Sequence, residues 1–148
     1  MIVDIRFTKL DPNAQIPIKP YDGNAGWDLT YIGPDILIHA NESKLLKTGL
    51  GFHFSNEWCI DIVNRGGVAF KKQLIIGSEL VDSNYSGEVF VNLQNISSTT
   101  KEIKNGDKIA QFLVLPVPQV NLVEVSNEEF ESFHADSTRK QKCLGSSG

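Results

Sequence analysis

Asp82 and Tyr85 bracket a run of turn formers, Asp82-Ser83-Asn84, closed by Ser86-Gly87 before the alternating stretch Glu88-Val89-Phe90-Val91-Asn92-Leu93. Turn residues between strand-favouring runs predict a hairpin over Leu80 to Glu88 with a carboxylate at its tip. Such a carboxylate can activate water as a base, and it can equally cap the turn through its own backbone. Upstream, Arg65 is followed by Gly66 and Gly67. A guanidinium fork beside unobstructed backbone N–H groups suits a chain of phosphates; the plainer alternative is a glycine turn with a solvated arginine. Gln111 lies inside the apolar run Ile109 to Val114. Its amide needs a partner there, either a phosphate oxygen or the backbone of a neighbouring strand. Asp28, in Gly26-Trp27-Asp28, has turn composition.

These residues need a rigid scaffold, and the periodicity is that of strands. Met1 to Leu10 sets Val3, Ile5 and Phe7 against Ile2, Asp4, Arg6 and Thr8, which predicts a half-buried strand. Pro12, Pro17 and Pro20 then punctuate an extended segment, followed by a loop ending at Gly23-Asn24-Ala25-Gly26. Short apolar runs at Ile36 to His39, Leu45 to Phe54 and Trp58 to Val63, separated by polar turns, suggest a sandwich or barrel. Gly66 to Lys72 fits one short helical turn, Gln73 to Ile76 and Glu88 to Leu93 fit strands, and Ile109 to Val114 reads as a fully buried strand. Val89, Val91 and Leu93 share one face. Asn127 to Phe133 fits a short helix capped by Ser126 or Asn127, and from Ala135 the chain becomes a polar, mobile tail.

With 148 residues the chain is long enough for one domain with a real core, without metals or disulfides as staples. A net charge of −4 argues against a nucleic-acid partner. Cys59 and Cys143 form no CxxC pair and no zinc pattern, and they suit a reducing compartment. No run reaches the length of a membrane span, so the expectation is a soluble, cytoplasmic protein.

Five stretches, in order, resemble the motifs of the trimeric dUTP diphosphatase (dUTPase) family and together cover nearly the whole chain. Ala25-Gly26-Trp27-Asp28-Leu29 is close to AGxDL, and Asn64-Arg65-Gly66-Gly67-Val68-Ala69 resembles PRSxxA. Leu80 to Glu88, with Glu79 ahead of it, resembles GxIDxxYxGE, and Gly106-Asp107-Lys108-Ile109-Ala110-Gln111 is close to G-x-R/K-I-A-Q. Arg139 to Gly148 aligns with the terminal arm R-G-x-G-G-F-G-S-T-G.

The resemblance implies an all-β, dUTPase-like jelly roll (β-clip) over residues 1–134 and a C-terminal arm, 135–148, closing over the active site. It implies a homotrimer with sites shared between subunits, Mg²⁺ on the triphosphate, and hydrolysis of dUTP to dUMP and pyrophosphate. Asp82 would activate the water and Tyr85 would pack against deoxyribose. Arg65, Gly66, Gly67, Gln111, Arg139, Ser146 and Ser147 would hold phosphates, Leu144 would cover the base, and Asp28 would sit near the metal, indirectly, through water or phosphate oxygens.

The chain also departs from the family pattern. Gly66 stands in place of the motif's serine, removing a donor worth about 2.7–4 kcal/mol of transition-state stabilisation in a pre-organised site. Leu144 replaces a stacking phenylalanine, a difference of about 0.5–1.5 kcal/mol. Glu79 replaces a glycine at the base-binding turn and is a candidate for altered base preference, toward dCTP or a modified pyrimidine, or else an outward, solvated carboxylate. Resemblance to the related dCTP deaminases around Tyr85 to Asn95 would put their catalytic glutamate at Asn92, which cannot act as a general base. A catalytically impaired binding or regulatory protein is the alternative outside enzyme chemistry.

Overall fold

Alternating apolar side chains account for most of the observed architecture. The computed structural model describes residues 2–137. The chain divides into two compact units. The first, up to Pro118, carries β1 (Arg6–Lys9), β2 (Trp27–Thr30), β3 (Ile36–Ile38), β4 (Ser43–His53), β5 (Trp58–Val63), α1 (Gly66–Lys72), β6 (Leu74–Ile76), β7 (Leu80–Val81), β8 (Val89–Asn95), β9 (Lys101–Ile103) and β10 (Lys108–Pro116). The second starts at Gln119 and carries α2 (Asn127–Phe133), which is capped by Ser126: its Oγ accepts from the Glu129 N–H at 3.1 Å.

In the first unit one sheet has the order β1-β4-β8-β6 and a second the order β2-β10-β5-β7, with β3 and β9 as a separate pair. All named pairings are antiparallel. Leu46 and Leu50 of β4 and Val89, Val91 and Leu93 of β8 share one buried cluster with Leu29 of β2, Ile60 and Ile62 of β5 and Phe112 of β10. Phe52 and Phe112 meet edge to face with centroids 5.4 Å apart. This is the expected all-β jelly roll. Among the described residues no helix is long and apolar enough to cross a membrane.

Four expectations need correction. The strand predicted over Met1 to Leu10 is confined to Arg6–Lys9, and all four of its residues are exposed. As an edge strand, β1 pairs only with β4, and alternation into partial burial survives only at Val3 and Ile5. The run Ile109 to Val114 is not fully buried: Ile109, Ala110 and Phe112 are, whereas Gln111, Leu113 and Val114 are half-exposed, because the sheet covers only one face of β10. Trp27-Asp28 is not a turn but the start of β2, held by β10. Finally, Leu80 to Glu88 is not the tip of a simple hairpin. β7 pairs with β5 and β8 with β4 and β6, so the stretch crosses from one sheet to the other.

Two polar features fix the sheet ends. β4 slips register between Lys47 and Leu50, where Gly49 takes φ +70° and any Cβ would crowd Ile32, Ala14 and Asp11. Beside it the Lys47 ammonium lies 2.6 Å from Asp11, and that hydrogen bond holds the Asp11 carboxyl below its ordinary range. Because the folded-state value is depressed, this contribution is in place above the unfolded carboxylate value and is lost as pH falls through the folded one. At the end of β8, Asn95 is 1% exposed; its Nδ2 donates to the Ile38 and Thr99 carbonyls at 2.9 and 2.8 Å, and its Oδ1 accepts from the Ser97 N–H and hydroxyl. Asn95→Ala strands these buried groups and is expected to cost about 3 kcal/mol in urea unfolding. Asn92→Ala, whose Nδ2 bonds the surface hydroxyl of Ser43, is expected to cost under about 1 kcal/mol in the same assay.

Candidate active site

The crossing loop places the first candidate group. Its backbone leaves β6 through Gly77, whose N–H donates to Asn92 O at 3.0 Å, and reaches the second sheet where the Ile62 N–H donates to Glu79 O at 2.7 Å. A tight turn follows, closed by the Tyr85 N–H on Asp82 O at 3.1 Å. The turn is thus closed by backbone, and among the described residues no hydrogen bond ties the exposed Asp82 carboxylate. The carboxylate is free for chemistry.

Tyr85 is more constrained. Its Oη donates to Glu88 O at 2.6 Å, and a Cβ on Gly87 would lie 2.9 Å from that Oη and 3.0 Å from Cζ. Glycine is therefore needed under the ring, which remains 45% exposed. Asp82 and Tyr85 line a cleft of about 230 Å³ with Ser78, Leu80, Val81 and Phe90 among its walls. Glu79, between lining residues Ser78 and Leu80, is exposed and is not part of that wall. Asn92 lies outside it as well.

A second cleft, again of about 230 Å³, gathers Asp28, Arg65, Gly66, Gly67 and Gln111 with Pro20 and Asn24. Antiparallel pairing sets Asp28 opposite Gln111 and Gln111 opposite Val63, which brings three motifs side by side. Asp28 is 4% exposed, and burying a carboxylate is costly unless it is paired. Here Arg65 Nε donates to Oδ1 at 2.8 Å and Nη2 to Oδ2 at 3.4 Å, while Lys108 Nζ lies 3.3 Å from Oδ2. Arg65 Nη1 also reaches Lys108 O at 3.4 Å. Arg65 is thereby clamped on the wall of the cleft by a carboxylate that it shares with Lys108.

Arg65 is also the N-cap of α1 and offers no side-chain cap, so the Gly66 and Gly67 N–H groups begin the helix without one. Neither glycine is demanded by conformation: neither has positive φ, and an added Cβ would meet nothing within 4 Å. Gly26 is different. A Cβ there would fall 2.8 Å from Gln111 Cδ, so glycine lets the Gln111 amide lie across β2. That amide donates from Nε2 to Asn64 O at 2.9 Å, the backbone partner considered for it, and keeps one of its two N–H groups.

Sequence reasoning left out Lys108, Asn64 and Ser78. Lys108 stands inside the same motif as Gln111, and only the pairing of β10 with β2 shows its charge on Asp28. Asn64 fixes the loop twice, through O to Gln111 and through Oδ1 from the Ile76 N–H at 2.9 Å. Among the described residues no group of three or more His, Cys, Asp or Glu could hold a metal ion. Asp28 has both oxygens on cations, so these residues do not compose a Mg²⁺ site of their own. Arg139, Leu144, Ser146 and Ser147 lie outside the described residues.

Comparison with known proteins places the chain in a family. Residues 12–148 match the dUTPase family model. The chain is 34% identical to a deoxyuridine 5'-triphosphate nucleotidohydrolase of Picosynechococcus sp., covering 97% of this chain and 98% of the relative. It is 36% identical to the enzyme of that name from Nautilia profundicola, with the same coverage. Among solved structures it is similar to a dUTPase variant of Staphylococcus bacteriophage 80alpha with dUpNHpp, with TM-score 0.83, 22% identity and 98% of each chain covered. It is also similar to a dUTPase variant from phage phi11 of S. aureus, described as coordinating a structural Mg(II) ion, with TM-score 0.77, 21% identity, and 84% of this chain and 97% of that one covered. With a family model spanning more than nine-tenths of its length, two clefts lined by the motif residues and relatives matched end to end, the chain belongs to the dUTPase family.

Proposed function

We propose that the chain hydrolyses dUTP to dUMP and pyrophosphate by in-line attack of an Asp82-activated water on the α-phosphate. The observation that carries the reading is the exposed Asp82 carboxylate beside Tyr85 in the first cleft, with no hydrogen-bond partner among the described residues, and the Arg65 cleft on the same jelly roll. Relatives named deoxyuridine 5'-triphosphate nucleotidohydrolase support the substrate.

Asp82 takes a proton from water as its oxygen bonds to the α-phosphorus. The bond from that phosphorus to the bridging oxygen breaks, and pyrophosphate leaves. An aspartate is a modest base, so positioning and charge stabilisation supply most of the acceleration. Arg65, the Gly66 and Gly67 N–H groups and the free N–H of Gln111 hold phosphate oxygens, with Asp28 keeping Arg65 in place. The substrate is dUTP as its Mg²⁺ complex, and Asp28 relates to that ion only indirectly. The Tyr85 ring, its hydroxyl spent on Glu88 O, offers carbon to the deoxyribose and no room for a 2′-hydroxyl. In the arm, 135–148, Leu144 covers the base while Arg139, Ser146 and Ser147 bind phosphate. A homotrimer completes the site by joining the two clefts across subunits.

A second reading, an impaired binding or regulatory protein, is favoured by Gly66, which brings no hydroxyl to the phosphate cleft. The two readings separate on pyrophosphate release. Wild-type protein with Mg²⁺ is expected to release it from dUTP in preference to dCTP and 5-substituted analogues, and a shift of that order in Glu79→Gly would identify Glu79 as a base selector. Asp82→Asn is expected to lower kcat by about 10²–10⁴-fold with dUTP binding retained. Gly66→Ser, which meets no steric obstacle, is expected to raise kcat at least about tenfold. Mixing inactive Asp82→Asn and Arg65→Ala chains is expected to restore about a quarter of the sites, because a shared site can draw each intact group from a different chain; no recovery would place both groups in one subunit's site.

A further inference from the structure

Tyr85 makes three contacts on its own loop, two of them with Glu88 and its neighbour Gly87. Its Oη donates to Glu88 O, its ring covers Gly87, and its N–H closes the turn on Asp82 O. What holds Glu88 therefore sets where the ring stands. The Glu88 side chain turns away from the cleft: Oε1 accepts from the Gly49 N–H at 2.7 Å, and the residue is half-buried.

Gly49 is the bulge residue of β4, where the ladder with β8 slips. A bulge leaves backbone groups without ladder partners, and two are met here by side chains, one from each side of the slip. Glu88 satisfies the Gly49 N–H; in return the fully buried Thr48 hydroxyl donates to Val89 O. The Gly49 carbonyl in turn accepts from Leu10 and Asp11 N–H, tying the bulge to the segment after β1. The result is a reciprocal clasp between the bulge and the root of the crossing loop, built from one charged and one neutral hydrogen bond.

We propose that Glu88 is a positioning residue for Tyr85: through its clasp with the Thr48–Gly49 bulge it fixes the tyrosine ring over the Asp82 cleft and so sets the preference for deoxyribose over ribose. It never touches substrate. The inference rests on dUTP hydrolysis being the activity, and the test separates the two.

Glu88→Ala and Glu88→Gln in the full chain are compared by hydrogen exchange of peptides over 46–52 and 82–90, and by KM for dUTP and the dUTP-to-UTP ratio of kcat/KM. Glu88→Ala is expected to speed exchange in both peptides, to raise KM about tenfold or more and to lower the ratio by a similar factor, with kcat changed less. Glu88→Gln keeps an acceptor oxygen for the Gly49 N–H and is expected to stay within about twofold of wild type. Exchange unchanged in Glu88→Ala overturns the clasp. Faster exchange with KM and ratio unchanged overturns the positioning role. A wild-type chain that hydrolyses no dUTP strikes the activity itself, and the exchange comparison still decides the clasp. Should Glu88→Ala fail to fold, Thr48→Val removes the other half of the clasp, and the same criteria apply to it.

Discussion

One backbone excursion holds this jelly roll to its chemistry. Between β6 and β8, which pair with each other, the chain leaves its sheet, lends Leu80 and Val81 to β5 in the opposite sheet, and returns. The excursion is fixed at its start by backbone hydrogen bonds, from Gly77 to Asn92 and from Ile62 to Glu79, and Val81 is buried in the common core. Backbone groups near a core must be paired, so the loop has little freedom to relax. Asp82 follows Val81 directly, and its place at the mouth of the first cleft is thus dictated by sheet pairing.

The second cleft depends on electrostatics where the first depends on backbone. A carboxylate as buried as Asp28 persists because two cations face it, and the pairing of β2 with β10 and of β10 with β5 delivers them. The arrangement leaves on the cleft wall a guanidinium whose orientation is set before any anion arrives. Pre-organised charge of this kind stabilises developing negative charge without reorganisation at the moment of reaction. The two clefts are thus held by different interactions, one by backbone pairing and the other by an ion pair.

Much of this was legible in the residues themselves. Val89, Val91 and Leu93 alternate and are buried, Gly66 to Lys72 forms its short helix, and Ser126 caps the last one. Asp28, Arg65, Gly66, Gly67 and Gln111 were singled out from separate stretches and line one cleft. Where the reading failed, the cause was long-range. Trp27 and Asp28 have turn composition, yet a ladder with Phe112 and Gln111 makes them strand. Phe7 alternates as a buried residue would, yet β1 is an edge strand and leaves it exposed. Glu79, for which an outward, solvated carboxylate is one of two readings, is exposed and off the wall of the Asp82 cleft, in keeping with that reading.

The sequence by itself determined which residue types stand at which spacing: strand alternation, turn formers, a carboxylate three residues before a tyrosine, an arginine ahead of two glycines. Those are local properties, because backbone sterics and side-chain period act over a few residues. Only the tertiary structure decided that the Asp82 loop crosses between sheets instead of folding as a hairpin, that Asp28 is clamped by Arg65 and Lys108, and that Glu88 reaches back to the bulge at Gly49. Each joins positions far apart in the sequence, or pairs one strand in preference to another, and the choice turns on which pairings can bury a common core while leaving no backbone group unsatisfied.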